Sequence, residues 1–248
     1  MFVFVVPFKS RKCSTDWALA SRLCVSAIHS MLRQESSEVR VILSCNTPPD
    51  GLQEDPRLIV QKLDIPLPTT PHEMMLDKYN KIKAGLIRAR EFAPMWLMRA
   101  DADDLVSNRL AGFVEKQTPG SAWYSETGWA HEFGSKWLMK VRKFYGACGT
   151  SLVTYVTEKD LPTHMEEDHK KFYLLTQGHT IVVEYLKNLG VPTFPIPFPT
   201  TIYENDTGEN WSGPWLSNVK DKRMMLRKLL HSRWITSSIR KEFGMETK

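Results

Sequence analysis

The stretch that most constrains this chain is residues 95–105, Met-Trp-Leu-Met-Arg-Ala-Asp-Ala-Asp-Asp-Leu. Trp96 to Met98 reads as a short buried strand, and the chain then runs into three carboxylates, Asp101, Asp103 and Asp104. Acidic side chains are seldom buried unpaired, and carboxylates held close together disfavour one another's ionised form. A divalent cation removes that difficulty, because hard oxygen ligands suit Mg²⁺ or Mn²⁺ and such an ion can be shared with substrate phosphates. In an open α/β sheet, ligands gather beyond the carboxyl ends of the strands, where this cluster falls. A turn in which one Asp caps the next helix would explain the same string without chemistry.

The residues before this stretch follow an α/β pattern. An apolar run at 2–6, closed by Pro7, has the character of a central parallel strand. Trp17, Ala20, Leu23, Cys24, Ala27, Ile28 and Met31 recur at helical steps behind cap candidates at 14–16. Further strands are expected at 39–44, 58–63 and 95–98, and helices over 76–92 and 105–116. The 76–92 helix would turn Tyr79, Ile82, Leu86 and Ala89 inward. Strand–helix–strand order predicts right-handed βαβ units and a mainly parallel sheet flanked by helices. There is no Gly-x-Gly-x-x-Gly and no Gly-Lys-Ser/Thr loop, which disfavours dinucleotide and P-loop chemistry.

The second half is less regular. Strands are expected at 123–125, 137–140 and 152–156, with small residues turning the chain at 146–149. A helix is expected at 170–175, and 181–189 reads as helix or strand. Residues 191–199 are proline-rich and extended, and 203–215 form a Gly/Asn/Trp loop.

A chain of 248 residues with 42% hydrophobic and 25% charged residues is long enough for one large α/β domain, or a domain with an appendage. The net charge of +5 is uneven: from Val219 onward nine Lys/Arg face three acids, so the tail carries +6 and the body is almost neutral. Cys13, Cys24, Cys45 and Cys148 show neither disulfide nor zinc spacing, which fits a reducing compartment. The opening apolar run is too short for a signal peptide, and no later stretch approaches a membrane span. A cytoplasmic protein is expected, or one peripheral on the inner face of a membrane.

The order of these features resembles the GT-A glycosyltransferases, and especially the large inverting family 2. The residues that carry the likeness are Val5-Val6-Pro7-Phe8 closing the first strand, Cys45-Asn46 after the second, and the 78–85 helix. With them come Arg99-Ala100-Asp101-Ala102-Asp103-Asp104-Leu105, which fits the family's acidic signature, and the Glu167-Asp168 pair. Asp206-Thr207-Gly208-Glu209-Asn210-Trp211-Ser212 is similar to a His-Gly-Glu-Asn string of some members, with Thr207 where they have His. The likeness spans about residues 2–215.

That resemblance implies a GT-A, Rossmann-like nucleotide-diphospho-sugar transferase fold over 1–218, with a nucleotide-sugar-binding half (1–116), an acceptor-binding half (117–218), and a basic amphipathic helical tail over 219–248. It implies a nucleotide-diphosphate sugar as donor, UDP-sugar favoured, and a glycan or lipid-linked acceptor. Mn²⁺ or Mg²⁺ would sit on Asp103 and Asp101, with Asp101 also facing the ribose, and Asp104 would orient its neighbours. Pro7, Phe8, Arg11, Asn46, Lys78, Lys81 and Arg99 would line the nucleotide-sugar pocket, and Asn210 and Trp211 would belong to a lid. Asp168, with Glu167 beside it, would take the proton from the acceptor hydroxyl. His164 and His169 are alternatives as base or third metal ligand.

Structural readings stand beside these. Asn46 also suits a turn, the α-helical lysines suit a solvated surface, and Glu167-Asp168 suits the first turn of a helix. Trp211 and Trp215 suit a sugar platform or packing on the body. In the tail, Met225, Leu226, Leu229, Leu230 and Trp234 make an apolar stripe among basic residues, which suits docking on the body or peripheral membrane contact. No nucleic-acid motif accompanies the charge, so no nucleic-acid partner is expected. Other functional readings are a nucleotidyltransferase, an Asp-x-Asp phosphatase, which Pro7 at the first strand's end argues against, and a binding protein that kept a transferase fold.

Overall fold

The computed structural model describes residues 1–209 and 230–245. Its central element is β1 (Phe2–Pro7), buried at every position. The two-residue period of a strand splits its side chains between two layers. Phe2, Phe4 and Val6 join a core with Ala20, Cys24, Ala27, Ile28 and Met31 of α1 (Trp17–Leu32). Val3 and Val5 face the other way, onto Ile82, Leu86 and Ala89 of α2 (Pro71–Ala89). A strand buried on both sides has no room for polar residues, which is why it reads as an unbroken apolar run.

Around β1 lie β2 (Val39–Cys45), β3 (Leu58–Lys62) and β4 (Met95–Arg99). β1 pairs in parallel with both β2 and β4, and β2 in parallel with β3. The sheet is completed by β6 (Ala122–Ser125), β9 (Leu152–Val156) and β10 (Thr193–Ile196), in the order β10-β6-β9-β4-β1-β2-β3. β9 alone runs against its neighbours. The result is a mixed α/β, Rossmann-like sheet, mainly parallel. The chain moves outward from β1 to β2 and β3, then returns to the other side of β1 as β4, so a topological switch point lies between the ends of β1 and β4.

A second sheet has the order β12-β8-β7-β11-β5, from β5 (Leu105–Val106), β7 (Thr127–Glu132), β8 (Trp137–Arg142), β11 (Thr201–Asn205) and β12 (Ser232–Trp234). Short helices α3 (Leu110–Val114), α4 (Tyr173–Thr176) and α5 (Val182–Asn188) fill the gaps, and α6 (Ser237–Phe243) closes the described chain.

Several expectations are corrected. α2 begins at Pro71 rather than 76, because Thr70 and Glu73 form a reciprocal capping box with Pro71 at the first position. Tyr79 is exposed on α2 instead of facing inward. Residues 105–116 are not one helix: Leu105 and Val106 pair with Ile202 and Thr201, and only 110–114 are helical. β7 arises where no strand is expected, and β11 takes residues 203–205 out of the expected 203–215 loop, because the two pair with each other in parallel. In place of one basic tail helix, Trp234 lies in edge strand β12 opposite Trp137, and α6 buries Ile239 and Phe243 against Leu105, Trp129, Leu138 and Ile202. The Glu242 carboxylate accepts from Ser107 Oγ and Arg109 Nη2, both at 2.7 Å, which ties α6 to the turn after β5. Met225, Leu226 and Leu229 of the expected stripe lie outside the described residues. Among the described residues no helix is long and apolar enough to cross a membrane.

Candidate functional site

The acidic turn leaves β4 at the switch point. The Asp101 amide donates to Thr150 Oγ1 at 2.8 Å, and the Asp101 carboxylate pairs with Lys78 of α2 at 2.6 Å. Burial works against Asp101's charge, but the Lys78 ammonium outweighs it and holds the carboxyl below its ordinary range. The same charge raises Lys78. Asp104 is fully buried, accepts from Thr150 Oγ1 and from Cys148 Sγ at 3.2 Å, and has its second oxygen buried with no partner. Burial and its two acidic neighbours push Asp104 well up despite those donors. Burial and the charge of Asp101 push Asp103 up to about 7. Asp103 and Asp104 are thus held beside a charged Asp101 against their own electrostatics, a pattern that marks candidate functional sites.

Three lysines of α2 brace the surroundings. Lys78 holds Asp101. Lys81, 1% exposed, pairs with Asp77 at 2.6 Å and donates to the buried Ser10 Oγ at 3.1 Å. Ser10 in turn donates to Asn46 Oδ1 at 2.6 Å, and the Asn46 amide donates to the carbonyls of Leu63 and Ile65. Asn46 thus ties together the loops after β1, β2 and β3, and both its amide protons are used there. Lys83 donates to the carbonyls of Met165 and Glu167 and so anchors the 163–169 turn on α2.

The remaining expected residues are distributed as follows. Pro7 and Phe8 are buried wall, with Phe8 against Trp17 at 5.2 Å between ring centroids. Arg11 is exposed, its guanidinium 5.7 Å from the Trp17 ring. Arg99 donates to the carbonyls of Leu174 and Gln177, and its charge also acts on Asp101. Glu167 accepts from the Thr163 amide and hydroxyl, bonds that hold its carboxyl down to about 2. Asp168 caps the next turn through the Lys170 amide at 2.9 Å, which lowers it as well. Neither makes a hydrogen bond or ion pair with the acidic turn. His164 and His169 are exposed beside Glu166 and Asp168. Asn210, Trp211 and Trp215 lie outside the described residues.

The cradle of the acidic turn has no signature of its own in the sequence. Cys148, Gly149 and Thr150 form the cradle under the acidic turn. Glu209 returns across the chain to pair with Lys9 at 2.6 Å and to accept from Ser14 Oγ, the Thr15 amide and the Asp16 amide. It fastens the 206–209 turn to the approach to α1, and those donors overcome its burial to hold its carboxyl down to about 2. The Asp-x-Asp spacing had pointed to the acidic turn; only a fold could point to its cradle.

Among the described residues no three His, Cys, Asp or Glu side chains converge as a metal-ligand set. The donor chemistry that is present, Asp101 and Asp103 with an orphaned oxygen on Asp104, suits a cation completed by substrate phosphates rather than an all-protein cage.

No protein-family model matches the sequence, and no curated protein matches it significantly. A nucleotidyl transferase from Methanothermobacter thermautotroptrophicus is similar in structure over 80% of this chain and 88% of its own, at 14% identity and a TM-score of 0.40. A likeness of that strength carries no argument about activity.

Proposed function

We propose that the chain is a nucleotide-dependent transferase that moves a sugar from a nucleotide-diphosphate sugar, UDP-sugar favoured, to a hydroxyl of a glycan or lipid-linked acceptor. The observation that carries this is the acidic turn at the switch point, with Asp103 pushed up to about 7. Asp103 and Asp101 would hold Mn²⁺ or Mg²⁺, and a bound cation would neutralise charge on the departing diphosphate. Lys78 and the cradle of Thr150 and Cys148 fix the carboxylates that meet the ligand. In the reaction the bond from the anomeric carbon to the diphosphate oxygen breaks with its electron pair, and the acceptor oxygen bonds to that carbon with inversion. Asp168, kept ionised by the Lys170 amide, is the proposed acceptor of the hydroxyl proton, and Glu167 fixes its turn through Thr163.

The state of that pair favours a second reading, nucleotidyl transfer. Carboxylates already stabilised by their own turn are weak bases, and an attacking phosphate oxygen needs none, since it is ionised at neutral pH.

The test is calorimetric binding of UDP, GDP and their sugars, with and without Mn²⁺, to the wild type and to Asp103→Asn. Metal-dependent binding lost in the variant is expected, and its persistence would overturn the site. Product analysis separates the two readings: release of nucleoside diphosphate marks glycosyl transfer, and pyrophosphate from a nucleoside triphosphate marks nucleotidyl transfer.

A further inference from the structure

On the side of β4 away from α1 the structure holds a cavity with room for the centre of one water-sized sphere, about 10 Å³. Its polar wall is Arg99, Ser151, Thr154 and His179, and Gly149 also lines it. Two of those groups are already engaged. Arg99 is spent on the Leu174 and Gln177 carbonyls, and Thr154 Oγ1 shares a hydrogen bond with Tyr173 Oη at 3.0 Å. Two are not. Ser151 is 1% exposed and its Oγ has no hydrogen-bond partner among the described residues, and the half-buried His179 imidazole makes no hydrogen bond to any described residue. An unmet buried hydroxyl is costly unless something arrives to meet it.

The cavity adjoins the chemistry. Gly149 has no side chain, and a Cβ there would stand 2.7 Å from Asp101 Oδ2, so one glycine touches both the cavity and the Asp101 carboxylate. Arg99 sets the position of the 174–177 backbone, and His179 follows two residues later. The charges of Asp101 and Lys78 both act on His179, which sets that wall of the cavity beside the acidic turn.

We infer that the cavity is the specificity pocket for the group carried on the diphosphate, holding one of its hydroxyls between Ser151 Oγ and His179. The inference deepens the nucleotide-diphosphate reading and rests on it. A hydroxyl both donates and accepts, as do a serine hydroxyl and a neutral imidazole, so the three can satisfy one another. The cavity has room for a hydroxyl. A ligand that lacks the hydroxyl would leave Ser151 and His179 unmet, which is how a built polar site rejects a deoxy analogue.

The experiment measures, in the presence of Mn²⁺, how much more tightly UDP-glucose, UDP-galactose, UDP-N-acetylglucosamine and GDP-mannose bind than their parent diphosphates. It uses the wild type, Ser151→Ala and His179→Gln, with melting curves to establish folding. For the preferred sugar the increment over the parent diphosphate should fall roughly 10-fold or more in each variant, the scale of one lost hydrogen-bonding partner, while UDP or GDP itself binds as before. Ser151→Ala removes one oxygen and keeps the test available if His179→Gln does not fold. An increment unchanged in the variants overturns the inference while leaving the nucleotide reading intact. Equal weakening of diphosphate and sugar-diphosphate also overturns it, because the cavity would then serve the nucleotide or the fold. A wild type that binds no nucleotide diphosphate removes the underlying reading and this inference together.

Discussion

The carboxylate of Asp101 occupies the space that a side chain at Gly149 would need: a Cβ there would lie 2.7 Å from Asp101 Oδ2 and 3.4 Å from its Cγ. Gly149 is not in the left-handed region, so its lack of a side chain serves close approach rather than backbone freedom. Gly149→Ala should therefore turn the Asp101 carboxylate away from Lys78 while the fold persists. The expected result is at least a ~10-fold loss of Mn²⁺-dependent nucleotide affinity with a stability change of about 1 kcal/mol or less, since only a short side chain must yield. Calorimetry and thermal melting on one preparation check both halves. Unchanged affinity would mean that the position of Asp101 does not matter to binding.

Glu209 supplies an acid-side prediction. Its carboxyl is held down to about 2 by Lys9, Thr15 and the Asp16 amide against the effect of burial. A carboxyl whose folded pKa is depressed stabilises the native state above its unfolded pKa, near 4.5, and that contribution fades as the pH falls toward 2. Glu209→Gln should lower stability at pH 7 by on the order of 1–2 kcal/mol, discounted for solvent screening, and should flatten the acid limb of the stability curve. Urea unfolding at intervals between pH 7 and 2.5 checks it. Parallel acid limbs in the two proteins would show that Glu209 is not the group being titrated.

His131 predicts the opposite slope. It lies in β7 with Nδ1 2.8 Å from Glu204 of β11, and its side chain is 7% exposed. Burial lowers its pKa, but the bond and charge of Glu204 outweigh it and the net shift is upward. A histidine raised in the folded state contributes stability that is full below its unfolded pKa, near 6.5, and is lost as the pH rises through the folded value. The stability advantage of wild type over Glu204→Gln should shrink between pH 6 and 9. An advantage that is flat or grows over that range would refute the pairing.

What the sequence made legible followed the range over which each signal acts. β1 and α1 could be read because the apolar run and the three- and four-residue recurrence are complete within one element. The acidic turn could be read for the same reason, since Asp101, Asp103 and Asp104 lie within one short string. β5 and β11 could not, because two or five residues become strands only through partners far along the chain, β11 for β5, and β7 and β5 for β11. The cradle was illegible on the same ground: Thr150 means nothing until the fold sets it beside Asp104, 46 positions earlier. In the sequence Glu209 is only one member of a string, and its meaning lies with Lys9, 200 positions away. The basic tail misleads because Leu230 and Trp234 fit a helical stripe, whereas Trp234 packs against Trp137 across two strands, with ring centroids 4.2 Å apart and planes tilted by 36°.

The buried chain Asp77–Lys81–Ser10–Asn46 makes the last prediction. Lys81 is 1% exposed and Asp77 8%, and Asp77 keeps one oxygen buried without a partner. Removing the lysine alone leaves a buried carboxylate uncompensated, so Lys81→Met should cost about 3–5 kcal/mol. Removing both charges also removes the uncompensated one, so Lys81→Met with Asp77→Leu should recover most of that loss. The double variant still lacks the Lys81 bond to Ser10, and with it one hold on the loop after β1. It should therefore regain stability in urea unfolding and yet bind nucleotide more weakly than wild type. Full recovery of binding would show that Asn46 alone suffices to set that loop. A double variant no more stable than Lys81→Met would show that the pair is not energetically coupled.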